Sequence, residues 1–113
     1  MFFRARSISP GREGEMSQEI LAVAIFEVLP GKEETVVSII HELSAILAAG
    51  GYSRDVFYRD TAPSHEFVML RYWKSEEARR GAQENPDVQR CWARLGPDIR
   101  IVKVYEHLEE ANA

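Results

Sequence analysis

The stretch Phe67 to Ala78, FVMLRYWKSEEA, gathers the residues of this chain best suited to binding a flat organic molecule. Phe67, Met69, Arg71 and Trp73 fall on one face of a period-two pattern, and Val68, Leu70 and Tyr72 on the other. Lys74 breaks the alternation, and Ser75 with Glu76 and Glu77 opens a helix, so Trp73 stands where a strand ends and side chains often line a pocket. A core tryptophan closing a helix–sheet seam is the plain alternative, and the two are compatible. If the face of Arg71 turns toward helices, its planar set of donors can stabilise an oxyanion. If that face turns outward, Arg71 is an interface or rim charge, the favoured placement for a strand arginine. Tyr72, on the other face, then belongs to the opposite side of the sheet.

Other candidates lie elsewhere in the chain. His41 is the histidine of a regular helix and the best general base near neutral pH. It stands about 120° from the centre of its helix's apolar stripe, at ~100° per residue, so a solvated edge is expected unless it reaches a pocket rim. Tyr58 could hydrogen-bond a substrate oxygen, although a half-buried sheet tyrosine is commoner. Trp92 and Cys91 share a helical core stripe, with Trp92 also a candidate pocket wall. Arg90 and Arg94 flank Cys91, but burial predicts an inert thiol. His65 and His107 are expected at exposed strand ends, and the three histidines have no metal-ligand spacing.

The elements that must position these residues follow from periodicity. Ile20 to Val28 is a nearly continuous apolar run ending at Pro30-Gly31, and reads as a strand covered on both faces. Lys32 to Ala49 is an amphipathic helix, with Val36, Ile39, Ile40, Leu43, Ile46 and Leu47 on its stripe and Gly50-Gly51 as its stop. Tyr52 to Asp60 is a second strand, and the short turn Thr61-Ala62-Pro63-Ser64 joins it to the third as an antiparallel hairpin. The helix after Ser75 runs to about Gln83. Asn85-Pro86 restarts a helix with Val88, Cys91, Trp92 and Leu95 inward, stopped by Gly96-Pro97. Asp98 to His107 is a fourth strand, with Ile99, Ile101, Lys103 and Tyr105 predicted on one side and Arg100, Val102, Val104 and Glu106 on the other. A polar tail follows.

The order β-α-β-β-α-β, with its second helix broken in two, predicts an α+β ferredoxin-like fold: an antiparallel sheet with helices on one face. Such a sheet leaves an apolar face open, and pairing two of them face to face gives a homodimer with a barrel-like centre.

Composition narrows the partners. The chain has 113 residues, 45% hydrophobic and 28% charged, which suits one soluble domain spanning residues 19–108 with a tail at 109–113. A formal charge of −4 makes nucleic acid and anionic membrane poor partners. No apolar run has the roughly 18 residues of a membrane span. One cysteine gives no disulfide framework, and a reducing cytoplasm is the simplest setting. Residues 1–18 lack sustained periodicity and are expected to form a flexible extension or extended arm. Arg4, Arg6 and Arg12 with Ser7 and Ser9 faintly suggest a transit peptide, but a secretory apolar core is missing. Met16 is an alternative start, which would make residues 1–15 an untranslated leader. A Gly-rich phosphate loop is missing, since Gly50-Gly51 ends a helix rather than opening one, and G-x-S-x-G does not occur.

Three segments together resemble the antibiotic biosynthesis monooxygenase family of the dimeric α/β-barrel superfamily: LAVAIFEVLPGKEE, VMLRYWKSEEA and NPDVQRCWARLG. The resemblance covers about residues 20–108. It implies a homodimer, a small-molecule pocket between helices and sheet in each subunit, and oxygenation of phenols or quinols without metal, flavin or haem. The haem-degrading relatives implied by the same superfamily carry a tryptophan leaving the third strand, which Trp73 matches. They also carry an asparagine on the first strand and an iron-ligating histidine on the last helix. Those positions fall at about Ala24 and Ala93, which can neither hydrogen-bond nor ligate through their side chains, so haem is disfavoured.

The resemblance and the residues together predict a cofactor-independent monooxygenase of a small aromatic phenol or quinol. Trp73, Arg71 and His41 are its candidate catalytic residues; Tyr58, Trp92, Met69 and Phe67 are candidate substrate contacts; and no metal is expected. The alternative is a non-enzymatic small-molecule-binding or structural barrel dimer.

Overall fold

Strand β1 (Ile20–Val28) lies inside a four-stranded sheet, between β3 (Phe67–Trp73) and β4 (Ile99–Leu108), with β2 (Ser53–Arg59) at the far edge. Every pairing is antiparallel. The computed structural model describes residues 19–62 and 65–111. The N-terminal extension expected over residues 1–18 and the Pro63-Ser64 part of the turn lie outside the described residues. Helices α1 (Glu33–Ala49), α2 (Glu76–Glu84) and α3 (Pro86–Leu95) complete the expected ferredoxin-like order, with a 3-10 turn at Gly96–Asp98 before β4.

Local chemistry sets the boundaries. Ser75 accepts the Ala78 amide at 3.0 Å and starts α2. Asn85 accepts the amides of Asp87 at 2.8 Å and Val88 at 3.3 Å, so α3 starts with Pro86 at a position that needs no amide donor. At the end of α1 the chain turns through Gly51, whose φ of 73° suits glycine. A Cβ at Gly50 would lie 2.5 Å from the Tyr52 ring, so a larger residue there would force that ring to shift.

The core fills the space between the helices and one sheet face. Leu43, Leu47, Val88, Cys91, Ala82 and Trp73 form one buried group. Val36, Ile40, Phe26, Phe67 and Met69 form another. Phe26, Phe57 and Phe67 stack with centroids 5.4–6.1 Å apart, so Phe67 is a core residue of the β1–β3–β2 seam. The other sheet face carries Leu21, Val23 and Ile25 of β1 paired with Tyr72, Leu70 and Val68 of β3, all half-buried. Among the described residues, β1 is therefore covered by helices on one face only.

Strand β4 departs from simple alternation. Its pairing with β1 shifts between Ile25 and Phe26 and again between Leu21 and Val23. Ile101 consequently pairs with Phe26 and Val104 with Ala24, which puts both on the helix side. Strict alternation had separated them. Each bulge inserts a residue and reverses the side-chain pattern beyond it.

Candidate functional site

Small residues on β1 create a space in this packing. Along the helix-facing side of β1 the chain reads Ile20, Ala22, Ala24, Phe26, and these pair with Trp73, Arg71, Met69 and Phe67 of β3. The two alanines leave room above the sheet where larger side chains flank them. A cavity of about 270 Å³ lies there. Its sheet side is Ala22, Val23, Ala24, Met69, Arg71 and Trp73, and its other walls are Arg79 and Gln83 of α2, Trp92 of α3, and Val104 and Glu106 of β4.

Two indoles therefore face one space with an arginine between sheet and helices. Trp73 is 4% exposed and closes the seam, so the core and pocket readings of this residue coincide. Arg71 faces the helices and not the open side, contrary to the favoured sequence placement. Its Nε and Nη2 each donate to Asp55 at 2.9 Å, and its side chain is 12% exposed against 3% for Asp55. Register explains the difference: Asp55 pairs with Arg71 across β2 and β3, so each charge is turned inward opposite its partner. The Arg71 guanidinium carbon also lies 5.5 Å from the Trp73 ring centroid, within cation–π range.

At the mouth, Arg79 donates to Glu76 and to Glu106, each at 3.1 Å, and His107 lies 3.4 Å from Glu76. Desolvation pushes the Glu76 carboxyl up, but the His107 hydrogen bond and the positive charges of Arg79 and His107 outweigh it, so it titrates below its usual range. These contacts tie β4 to α2 at the cavity edge.

Met69 and Trp92 join Trp73 and Arg71 at the cavity. Three other candidates stand outside it. His41 is exposed on the outer side of α1, the solvated edge its helical angle implies, because Val36, Ile39, Ile40, Leu43 and Leu47 take the inward stripe. Tyr58 is 56% exposed on the open sheet face, one residue out of phase with Asp55 and Phe57. Phe67 belongs to the stacked phenylalanines. Cys91 is buried, and burial followed by the Glu42 charge pushes its thiol up against the opposing pull of Arg94 and Arg90, which leaves it protonated and inert.

Asp55, Ala22, Arg79, Gln83 and Glu106 were not among the sequence candidates. Arg79 and Gln83 are four apart on α2, a spacing that puts them on one helix face. Ala24 does line the cavity, whereas Ala93 is exposed, and the α3 residue that reaches the cavity is Trp92, whose indole nitrogen is only a donor. Neither position offers a haem ligand. Among the described residues, no three of His, Cys, Asp and Glu gather as a metal site, and no helix is long and apolar enough to cross a membrane.

Comparison with known proteins agrees with this architecture. Curated protein sequences provide no match. Solved structures with the same fold include SnoaB, a cofactor-independent oxygenase from Streptomyces nogalater, at 17% identity and TM-score 0.67, covering 85% of this chain and 99% of that one. A Pseudomonas aeruginosa protein matches at 22% identity and TM-score 0.71, covering 85% and 98%. A Chloroflexus aurantiacus protein named for the antibiotic biosynthesis monooxygenases matches at 18% and 0.70, covering 84% and 96%. The family model for antibiotic biosynthesis monooxygenase matches residues 19–94, from the start of β1 through most of α3 and so through most of the cavity wall. With that match and the shared fold, the chain belongs to the antibiotic biosynthesis monooxygenase family.

Proposed function

We propose that the protein is a cofactor-independent monooxygenase of a small phenol or quinol. The observation that carries this reading is the convergence of Trp73, Trp92 and the Asp55-braced Arg71 on one cavity. A cavity of roughly 150 Å³ holds one benzene ring. The 270 Å³ here suits one or two fused rings. The indoles and Met69 hold the ring by its faces, and Arg71 stabilises the negative oxygen left when the hydroxyl ionises. Glu106 is the wall carboxylate that can take the proton. Such a ring supplies its own electrons: a quinol and dioxygen give a hydroxyquinone and water, with one oxygen atom entering the ring. Family membership and the cofactor-independent oxygenase SnoaB of the same fold support this chemistry.

Oxygen uptake with a panel of one- and two-ring quinols in metal-free buffer tests it. Uptake above the uncatalysed rate is expected, with one oxygen atom of labelled dioxygen in the product. No acceleration with any quinol would sink the enzymatic reading. A binding role without turnover is the second reading, favoured by the lack of a histidine on the cavity wall among the described residues. It requires quinol binding with no uptake.

The working unit is a homodimer through the open sheet faces. Val23, Ile25, Val68 and Leu70 form an apolar surface there that no helix among the described residues covers. A lysine at Leu70 is expected to convert a dimer to a monomer in sedimentation. A wild-type chain that sediments as a monomer would overturn the pairing. A cytoplasmic site of action goes with this reading.

A further inference from the structure

The guanidinium of Arg71 is held by more than an ion pair. One oxygen of Asp55 accepts Arg71 Nε at 2.9 Å and the Ser53 hydroxyl at 3.2 Å; the other accepts Arg71 Nη2 at 2.9 Å and the Ser44 hydroxyl at 2.7 Å. A carboxylate has about four acceptor sites, so this one is saturated. The donors come from α1, β2 and β3, so the tie crosses the helix–sheet seam. Among the described residues, Nη1 of Arg71 has no protein acceptor, and Arg71 lines the cavity. Arg79, the other cavity arginine, is occupied by Glu76 and Glu106.

Two consequences follow. An arginine side chain ordinarily has many rotamers, and two parallel bonds to one carboxylate fix both the place and the plane of its guanidinium. The Asp55 charge also offsets that of Arg71, so an anion here is recognised through a directed hydrogen bond more than through net charge. A fixed donor needs no reorganisation when negative charge develops next to it.

We propose that Asp55, tethered by Ser44 and Ser53, is a positioning residue that holds Arg71 so that Nη1 selects the ionised form of a hydroxyaromatic ligand over the neutral form. This rests on the reading of the cavity as a site for a phenol or quinol, and it assigns the brace that gives the site its preference for the anion.

The test uses binding alone. The probes are 4-nitrophenol, whose ionised and neutral forms differ in colour, and nitrobenzene, a neutral ring without the hydroxyl. The proteins are the wild type, Ser44→Ala/Ser53→Ala, and Arg71→Lys, which keeps the charge and loses the fork. The wild type is expected to bind the phenolate more tightly than the neutral phenol, so the ionisation midpoint of the bound probe falls. Ser44→Ala/Ser53→Ala and Arg71→Lys are each expected to weaken phenolate binding about tenfold while nitrobenzene affinity stays within about twofold. Equal losses for both probes would mean that the brace only supports the fold, and the proposal fails. Unchanged phenolate binding in the serine variant also defeats the brace but leaves the oxyanion reading standing, provided Arg71→Lys loses it. A wild type with no preference for the phenolate removes the oxyanion reading and the brace together.

Discussion

Asp55→Ala is expected to lower the unfolding free energy by about 3 kcal/mol, because it leaves the Arg71 guanidinium facing a largely apolar cavity without its counter-charge. The geometry sets this size. The Asp55 side chain is 3% exposed and takes four donors, so its removal orphans the arginine and two serine hydroxyls at once. The exposed ion pairs of the chain, such as Arg94 with Glu42, sit in solvent, and removing either partner is expected to change stability by less than about 1 kcal/mol. Urea denaturation of Asp55→Ala and Glu42→Ala separates the two cases. The double variant Asp55→Leu/Arg71→Met removes both charges and is expected to recover most of the loss. If Asp55→Ala is as stable as the wild type, the pair is not an inward strut. If the double variant is no better than the single, charge burial is not the origin of the cost.

This pair also shows how much of the site could be read along the chain. The alternation of β3 correctly groups Met69, Arg71 and Trp73, since period two is local. It cannot say which face meets the helices, because Val68, Leu70 and Tyr72 are as apolar as their neighbours. The answer lies in Asp55, sixteen residues earlier, which becomes the partner of Arg71 only when the β2–β3 register is set. The hairpin itself was legible from the short turn, and so were the caps at Ser75 and Asn85, where one side chain fixes one helix start. Glu106 could not be assigned to the cavity, because two bulges decide which side each β4 residue takes. His41 and Tyr58 fell out for a related reason. Each is a suitable chemical group turned away from the core, on an element that contributes no residue to the cavity wall.

The cavity itself traces to an absence of side chain, a feature easily passed over in a search for reactive groups. Ala22 and Ala24 lie in a run that otherwise reads as ordinary core, ILAVAIFEV. Their methyl groups set the sheet floor low while Trp73 and Trp92 rise around it. In the haem-degrading comparison Ala24 stood for a missing hydrogen-bonding group. In the structure the same residue supplies space for a ring.

Ala24→Phe is therefore expected to abolish function without unfolding the protein. A phenyl ring at this position enters a cavity in which roughly 150 Å³ accounts for one benzene. Less than half of the 270 Å³ would remain for a substrate. The ring also replaces open space with apolar contact against Met69 and Val104, so a cost of about 1–3 kcal/mol for overpacking a filled core is not expected. Ala82→Phe provides the contrast: Ala82 is fully buried on the inner face of α2, is not part of the cavity wall, and should show that cost or more. Thermal unfolding should leave Ala24→Phe at or above the wild-type midpoint and Ala82→Phe well below it. Quinol turnover by Ala24→Phe should fall by at least about a hundredfold, since a ring that cannot seat loses its orientation toward Arg71. A well-folded Ala24→Phe that still turned over one-ring quinols at the wild-type rate would place the chemistry outside this cavity. It would equally remove Trp73, the residue at the end of β3, from the reaction.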